Sequence, residues 1–247
     1  MKFIELSFVR IFLIVITVAS QPVWASDAES ELTVAAGKGG LSSVNRILNA
    51  QTPSQDELQA AFWAAVAKGH DAIVERFLPL GVDVNQVSDD QYTPLMRAAR
   101  DGRDRIVEIL LAAGADINTL TEEGTALMNA AEKDRRKVIT ILLAAGADIH
   151  AQRGDGSTAL SLAAQEGYPL TIQALLDAGA NINHQMESGA TALMIAVQHG
   201  NFNATYALIA AKADLNLKAQ NGMTALGFAN YYQRKDIADL LKKSGAK

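Results

Sequence analysis

From Thr93 to the C-terminus the apolar positions fall in paired bursts separated by polar stretches. Ile106, Val107, Leu110 and Leu111 form one burst, and Val138, Ile139, Leu142 and Leu143 form another one period on. That spacing lays a single apolar stripe along a helix. Ahead of each burst runs a shorter, alanine-rich segment opened by a threonine. TPLMRAA begins at Thr93, TALMNAA at Thr125, TALSLAA at Thr158, TALMIAV at Thr191 and TALGFAN at Thr224, so successive starts lie 32, 33, 33 and 33 positions apart. A second motif keeps the same phase: GVDVN from Gly81, GADIN from Gly114, GADIH from Gly146, GANIN from Gly179 and KADLN from Lys212. The pattern predicts two helices per period and a polar loop between periods.

The chemistry of one period follows from its residues. A motif threonine is an N-cap, its hydroxyl satisfying a backbone N–H that the helix leaves free. Pro94 sits at the first helical position, where a missing N–H is harmless. Ala98, Ala130, Ala163 and Ala196 let neighbouring first helices approach closely, and a larger side chain there would overpack the stack. Gly102, Gly167 and Gly200 mark the turn between the helices; Gly114, Gly146 and Gly179 end the second helix. One such pair cannot bury both of its apolar sides. Stability therefore comes from the neighbours, and a lone unit would be unfolded.

Two less regular units precede Thr93. One starts near Gln59 and keeps the phase through Ala65, Gly69, Val74 and Gly81, with Ser54 and Glu57 as a capping box. The other starts near Leu32. In the last unit Asp239, Lys242 and Lys243 are expected to interrupt the second helix, as suits a terminal unit with one side in water. The two motifs together resemble the ankyrin repeat family, with its period of ~33 residues and its Thr-Pro-Leu-His-x-Ala signature. The family's histidine is replaced by Met96, Met128, Ser161, Met194 and Gly227; its proline survives only at Pro94; its turn glycine is Asp134 in one unit and Gln233 in the last. The resemblance implies an all-α solenoid of stacked helix-turn-helix units with β-hairpin-like loops. About seven units fill residues 32–247, at approximately 32–56, 57–88, 89–120, 121–153, 154–186, 187–219 and 220–247.

The first 25 residues read differently. Lys2 and Arg10 precede an apolar run from Ile11 to Ala19, and Val23 and Ala25 put small residues before Ser26. This is the layout of a cleavable secretory signal. The apolar run is shorter than the ~20 residues a membrane-spanning helix needs. Residues 26–31 read as a flexible start. The expectation is an exported chain, in the periplasm of a Gram-negative host and otherwise secreted, with no membrane association after cleavage. There are 0 cysteines, which excludes disulfides and thiolate chemistry. The net charge of −5 supplies no basic face for nucleic acid.

Nothing in the chain reads as a catalytic constellation, and no cofactor is expected. His70 lies in an inter-helix turn, and His150 and His184 lie in neighbouring loops, where loop-surface roles outweigh a metal pair. Asp83, Asp116, Asp148 and Asp214 recur at the repeat period, which suits tying loops together. Repeat arrays rarely hold a catalytic pocket, so an enzyme is not expected. The resemblance places recognition on the loop tips and the exposed side of the first helices. By position these are Asp89, Asp90 and Tyr92, then Arg100 and Asp101; Glu122 and Glu123 with Glu132; Glu166; Glu187 with His199; and Met223 with Tyr231 and Tyr232. Acidic residues concentrate in the middle units and tyrosines stand at both ends. The expectation is an acidic groove with tyrosine anchors, taking another protein through a basic surface, on a chain that is itself a monomer. An adaptor, an inhibitor or a toxin's immunity partner fits this; a structural or chaperone-like accessory of an exported enzyme is the other reading.

Overall fold

The computed structural model describes residues 30–247, so the leader lies outside the described residues. Fourteen α-helices follow one another there as seven antiparallel pairs: α1 (Glu31–Gly37) with α2 (Leu41–Ala50), α3 (Gln55–Lys68) with α4 (Asp71–Phe77), α5 (Pro94–Asp101) with α6 (Asp104–Ala112), α7 (Ala126–Glu132) with α8 (Arg136–Ala144), α9 (Ala159–Glu166) with α10 (Pro169–Asp177), α11 (Ala192–His199) with α12 (Phe202–Ala210), and α13 (Ala225–Tyr231) with α14 (Lys235–Lys243). The odd-numbered helices pack in one row, each on the next, and the even-numbered helices form a second row behind them. Within the second row, α8 and α10 make the sparsest neighbouring contact. The described loops hold only isolated bridges, Thr121 with Gly124 and Gln185 with Thr191, and no named strand.

The sequence dictates where the first helix of each pair begins. Thr93, Thr125, Thr158, Thr191 and Thr224 each accept a hydrogen bond from the backbone N–H three residues on. Ser54 and Glu57 form the expected reciprocal capping box. Ser30 caps α1 in the same way, so Glu31 is helical and not part of a loose start. Asp239, Lys242 and Lys243 do not interrupt α14, which is a single helix through Lys243; the three side chains lie on its exposed side, where charge costs a helix nothing.

Packing is periodic as well. Phe77, Leu110, Leu142, Leu175, Leu208 and Leu241 occupy the same place in successive second helices, and all are 0% exposed. Ala98, Ala130, Ala163 and Ala196 are equally sealed between first helices. The inter-helix turn needs a left-handed residue. Gly102 supplies it at φ 72°, with the Arg135 side chain packed so close that a Cβ would sit 2.8 Å from Cδ. Asp134 and Gln233 adopt the same conformation without glycine, at φ 52° and 57°, as does Lys212 at φ 67° where other units end the second helix with glycine. Asp134 is held there by company: the Thr171 hydroxyl donates to its carboxylate at 2.5 Å.

The recurring acids do tie the loops together. The Asp83, Asp116, Asp148 and Asp214 carboxylates each accept from the backbone N–H two residues on, at 2.8–2.9 Å. The asparagine at that second position then reaches the next unit. Asn85 accepts from Asp116 N–H, Asn118 from Asp148 N–H, Asn183 from Asp214 N–H and Asn216 from Lys247 N–H. The ladder has one missing rung. His150 stands where the asparagine should, and a cavity of about 180 Å³ opens among His150, His184 and Asn181. His150→Asn is expected to restore the bond to Asn181 N–H and raise stability by about 0.5–1.5 kcal/mol, read as a higher urea midpoint at unchanged slope.

Candidate functional site

Loop tips and first helices turn one continuous surface to solvent, and its side chains vary while the framework beneath repeats. Each tip is a tight turn closed by backbone bonds, for example Ser88 N–H to Tyr92 O and Arg153 N–H to Ser157 O, both 2.9 Å. Successive tips are also joined: Glu187 N–H donates to Asp155 O and Gln220 N–H to Ser188 O. The surface is therefore presented on tips held by their own backbone hydrogen bonds and by those to the next tip.

Of the residues expected on this surface, Asp89, Asp90, Glu122, Glu166, Glu187, His199, Tyr231 and Tyr232 are exposed. Asp89, Glu122 and Glu187 have no ion-pair partner among the described residues. Asp90 accepts from the Ser88 hydroxyl and lies 4.0 Å from the Arg97 guanidinium.

Others of the expected set belong to the framework. Tyr92 is no anchor. It is 8% exposed, its hydroxyl donates to Glu123 at 2.9 Å, and the Arg100 guanidinium lies 5.7 Å from its ring centroid. Burial, and then the bond to Glu123, push its phenol above the ordinary range. Asp101 is engaged by Arg97 Nε at 2.9 Å. Met223 is half-buried and packs against the core.

Glu132 holds a charge cluster that sequence reading missed. Lys133 Nζ approaches its carboxylate at 2.9 Å, Arg153 Nη2 at 3.4 Å and Arg100 Nη1 at 3.5 Å. Burial alone would raise its pKa; Lys133, and then Arg100 and Arg153, outweigh that and hold it low. Arg153 Nη2 also donates to Glu123 O at 2.8 Å, and Asn129 Nδ2 to the same oxygen at 3.0 Å. Glu123 and Glu132 therefore knit units three and four together, and the acidic groove shrinks to the tips. Arg153 carried no signal because Thr121 and Met186 occupy its place in the flanking loops.

Two apolar features were also missed. A groove of about 410 Å³ opens between α11 and α13, lined by Ile195, Gln198, Ala219, Phe228 and Tyr232 among others. The place occupied by Ile195 and Phe228 holds Arg97, Asn129 and Leu162 in earlier units, and a column that changes character inside a repeating frame is the signal that was available. A larger cleft of about 650 Å³ lies on the other row, between α4 and α6. Pro79 accounts for it: α4 stops at Phe77 and gives way to a 3-10 turn, Leu78–Leu80.

The family model described as Ankyrin repeats (3 copies) matches residues 32–121, 64–153, 113–186 and 160–247. Among curated proteins, none matches the chain. No group of three or more His, Cys, Asp or Glu that could hold a metal ion occurs among the described residues, and no described helix is long and apolar enough to cross a membrane.

Proposed function

The chain belongs to the ankyrin repeat family, whose members are protein–protein interaction modules and generally not enzymes, and from that premise we propose that it is an exported adaptor or inhibitor that holds another protein against its loop tips and first-helix row. Export rests on the leader read at residues 1–25. The observation that carries the mode of binding is the unpaired charge at the tips. Asp89 and Glu122 project to solvent from tips held by backbone hydrogen bonds, with no ion-pair partner among the described residues. Asp90, held by the Ser88 hydroxyl and 4.0 Å from the Arg97 guanidinium, adds to the same field. Such a field attracts a basic protein surface and speeds encounter with it. A binding role as an immunity partner of a toxin fits the same geometry.

The test uses the mature protein in its own compartment. Crosslinking followed by mass spectrometry is expected to join one protein to the tips of units three and four. Reversing Asp89, Asp90 and Glu122 to lysine should abolish its capture while the circular dichroism spectrum stays unchanged. Reversal of Glu123 or Glu132 is a poor test, since both are structural. Capture unaffected by the triple reversal would remove the basis for this reading. Obligate co-purification with a single exported enzyme, and loss of that enzyme's stability without this chain, would favour the accessory role.

A further inference from the structure

We infer that the partner lies along the array as one extended segment, with basic residues at the tips bearing Asp89, Asp90 and Glu122 and an apolar or aromatic side chain about seven to nine residues away in the groove of Ile195, Phe228 and Tyr232. This rests on the binding face proposed above and adds the partner's chemistry and spacing.

The groove is built to take a side chain. Ala190 and Ala219 leave room at the tips, Ile195 forms part of the floor, and Phe228 and Tyr232 form an aromatic wall. The wall is braced: Phe228 stacks on Tyr232 at 6.2 Å between centroids, and Tyr231 meets Tyr232 edge-on at 5.0 Å. The opposite side is fixed as well, because Gln220 bonds through its backbone to Ser188 and through its side chain to Glu187 O. A rigid, partly apolar slot with an exposed tyrosine has the character of an anchor site.

Charge selects what accompanies the anchor. On this face Arg97 is bound to Asp101, and Arg100, Lys133 and Arg153 share Glu132. Asp89 and Glu122 at one end, and Glu187 beside the groove, are acidic and in no ion pair among the described residues, while Lys68 and Lys218 are cations of this face likewise in none. A basic segment complements that distribution and an acidic one is repelled by it. Spacing follows from the stack. The groove lies about three units beyond the tips of Asp89 and Glu122, and packed helices stand ~8–10 Å apart. The span of ~24–30 Å is covered by about seven to nine extended residues.

Fluorescein-labelled synthetic peptides test this by polarisation on the mature protein. Each carries a Lys-Lys pair and one Trp, separated by a Gly/Ser spacer of about 3, 8 or 15 residues. The middle spacer is expected to bind at least about tenfold more tightly than the short one. Tyr232→Ala should erase the advantage of Trp over Ser in that peptide, whereas Tyr206→Ala, an exposed tyrosine on α12 outside the groove lining, should not. Asp89→Asn with Asp90→Asn and Glu122→Gln should weaken the Lys-Lys contribution and flatten its salt dependence. Affinity independent of spacing, or a Trp advantage that survives Tyr232→Ala, overturns the inference. If a natural partner is still lost on reversing the tips, the binding face stands without it; if that partner ignores both tips and groove, the two fall together.

Discussion

Leu142→Ala is expected to destabilise the array by about 2–5 kcal/mol and to split its single unfolding transition in two. Leu142 is 0% exposed in the last turn of α8. Its loss removes buried surface and leaves a cavity that the neighbouring backbone cannot fill completely. Any sealed leucine of the column would lose a comparable amount, so the position decides the second effect. In a stack, stability is a sum of unit terms and nearest-neighbour terms. The joint between the fourth and fifth units is already thin on one side: α8 and α10 touch least of the second-row neighbours, and the loop ladder lacks its rung at His150. Weakening the fourth unit there leaves the two parts joined mainly through α7 and α9. Urea unfolding followed by circular dichroism should show a second transition or a reduced slope. Leu110→Ala, one unit earlier in the same column, is the control, with a similar loss of stability and one transition. A single transition of unchanged slope for Leu142→Ala would show that the joint is as well coupled as the others.

Glu132→Gln is expected to cost about 1–3 kcal/mol, which is large for a residue on a recognition face. The carboxylate is a common partner for Lys133, Arg100 and Arg153, and its side chain is only 17% exposed. An amide keeps the shape and drops the charge, leaving three cations without their shared anion. The same cluster makes stability pH-dependent. Glu132 titrates below its ordinary range when folded, so the unfolded chain binds its proton first as acid is added. Its contribution is complete above the unfolded value of about 4.3 and is lost as pH falls through the depressed folded value. The difference in stability between the parent and Glu132→Gln, large at pH 7, should therefore shrink below about pH 4. A difference that stays constant down to pH 3 would show that the charge of Glu132 contributes nothing.

The fold was readable because its causes are local and repeated. A threonine cap, an alanine contact, a turn glycine and an apolar stripe each recur at one period, and each does in the structure what its chemistry requires. Thr125 caps α7 and Ala130 is sealed against its neighbours as the residues imply. The face was harder to read because its contacts join places that no period relates. Tyr92 looks like an exposed tip residue until Glu123, in the next loop, is found to take its proton donor. Glu132 looks like part of an acidic surface until Arg100 of the preceding unit and Arg153 of the following loop are found to neutralise it. The groove at Phe228 was hidden for the opposite reason: a residue in a core-like motif sits at the margin of an open slot.

Three residues in the frame carry a reserve that recognition does not use. Asp134, Lys212 and Gln233 hold a left-handed backbone at a cost of about 1–2 kcal/mol each relative to glycine. Asp134 is compensated by Thr171, but the structure records no side-chain hydrogen bond for Lys212 or Gln233. Substituting glycine at Lys212 would release that strain away from Asp89, Glu122 and the groove lining, whereas Gln233 adjoins Tyr232 of that lining. The chain therefore has room to absorb damaging changes on its variable face as that face follows a changing partner.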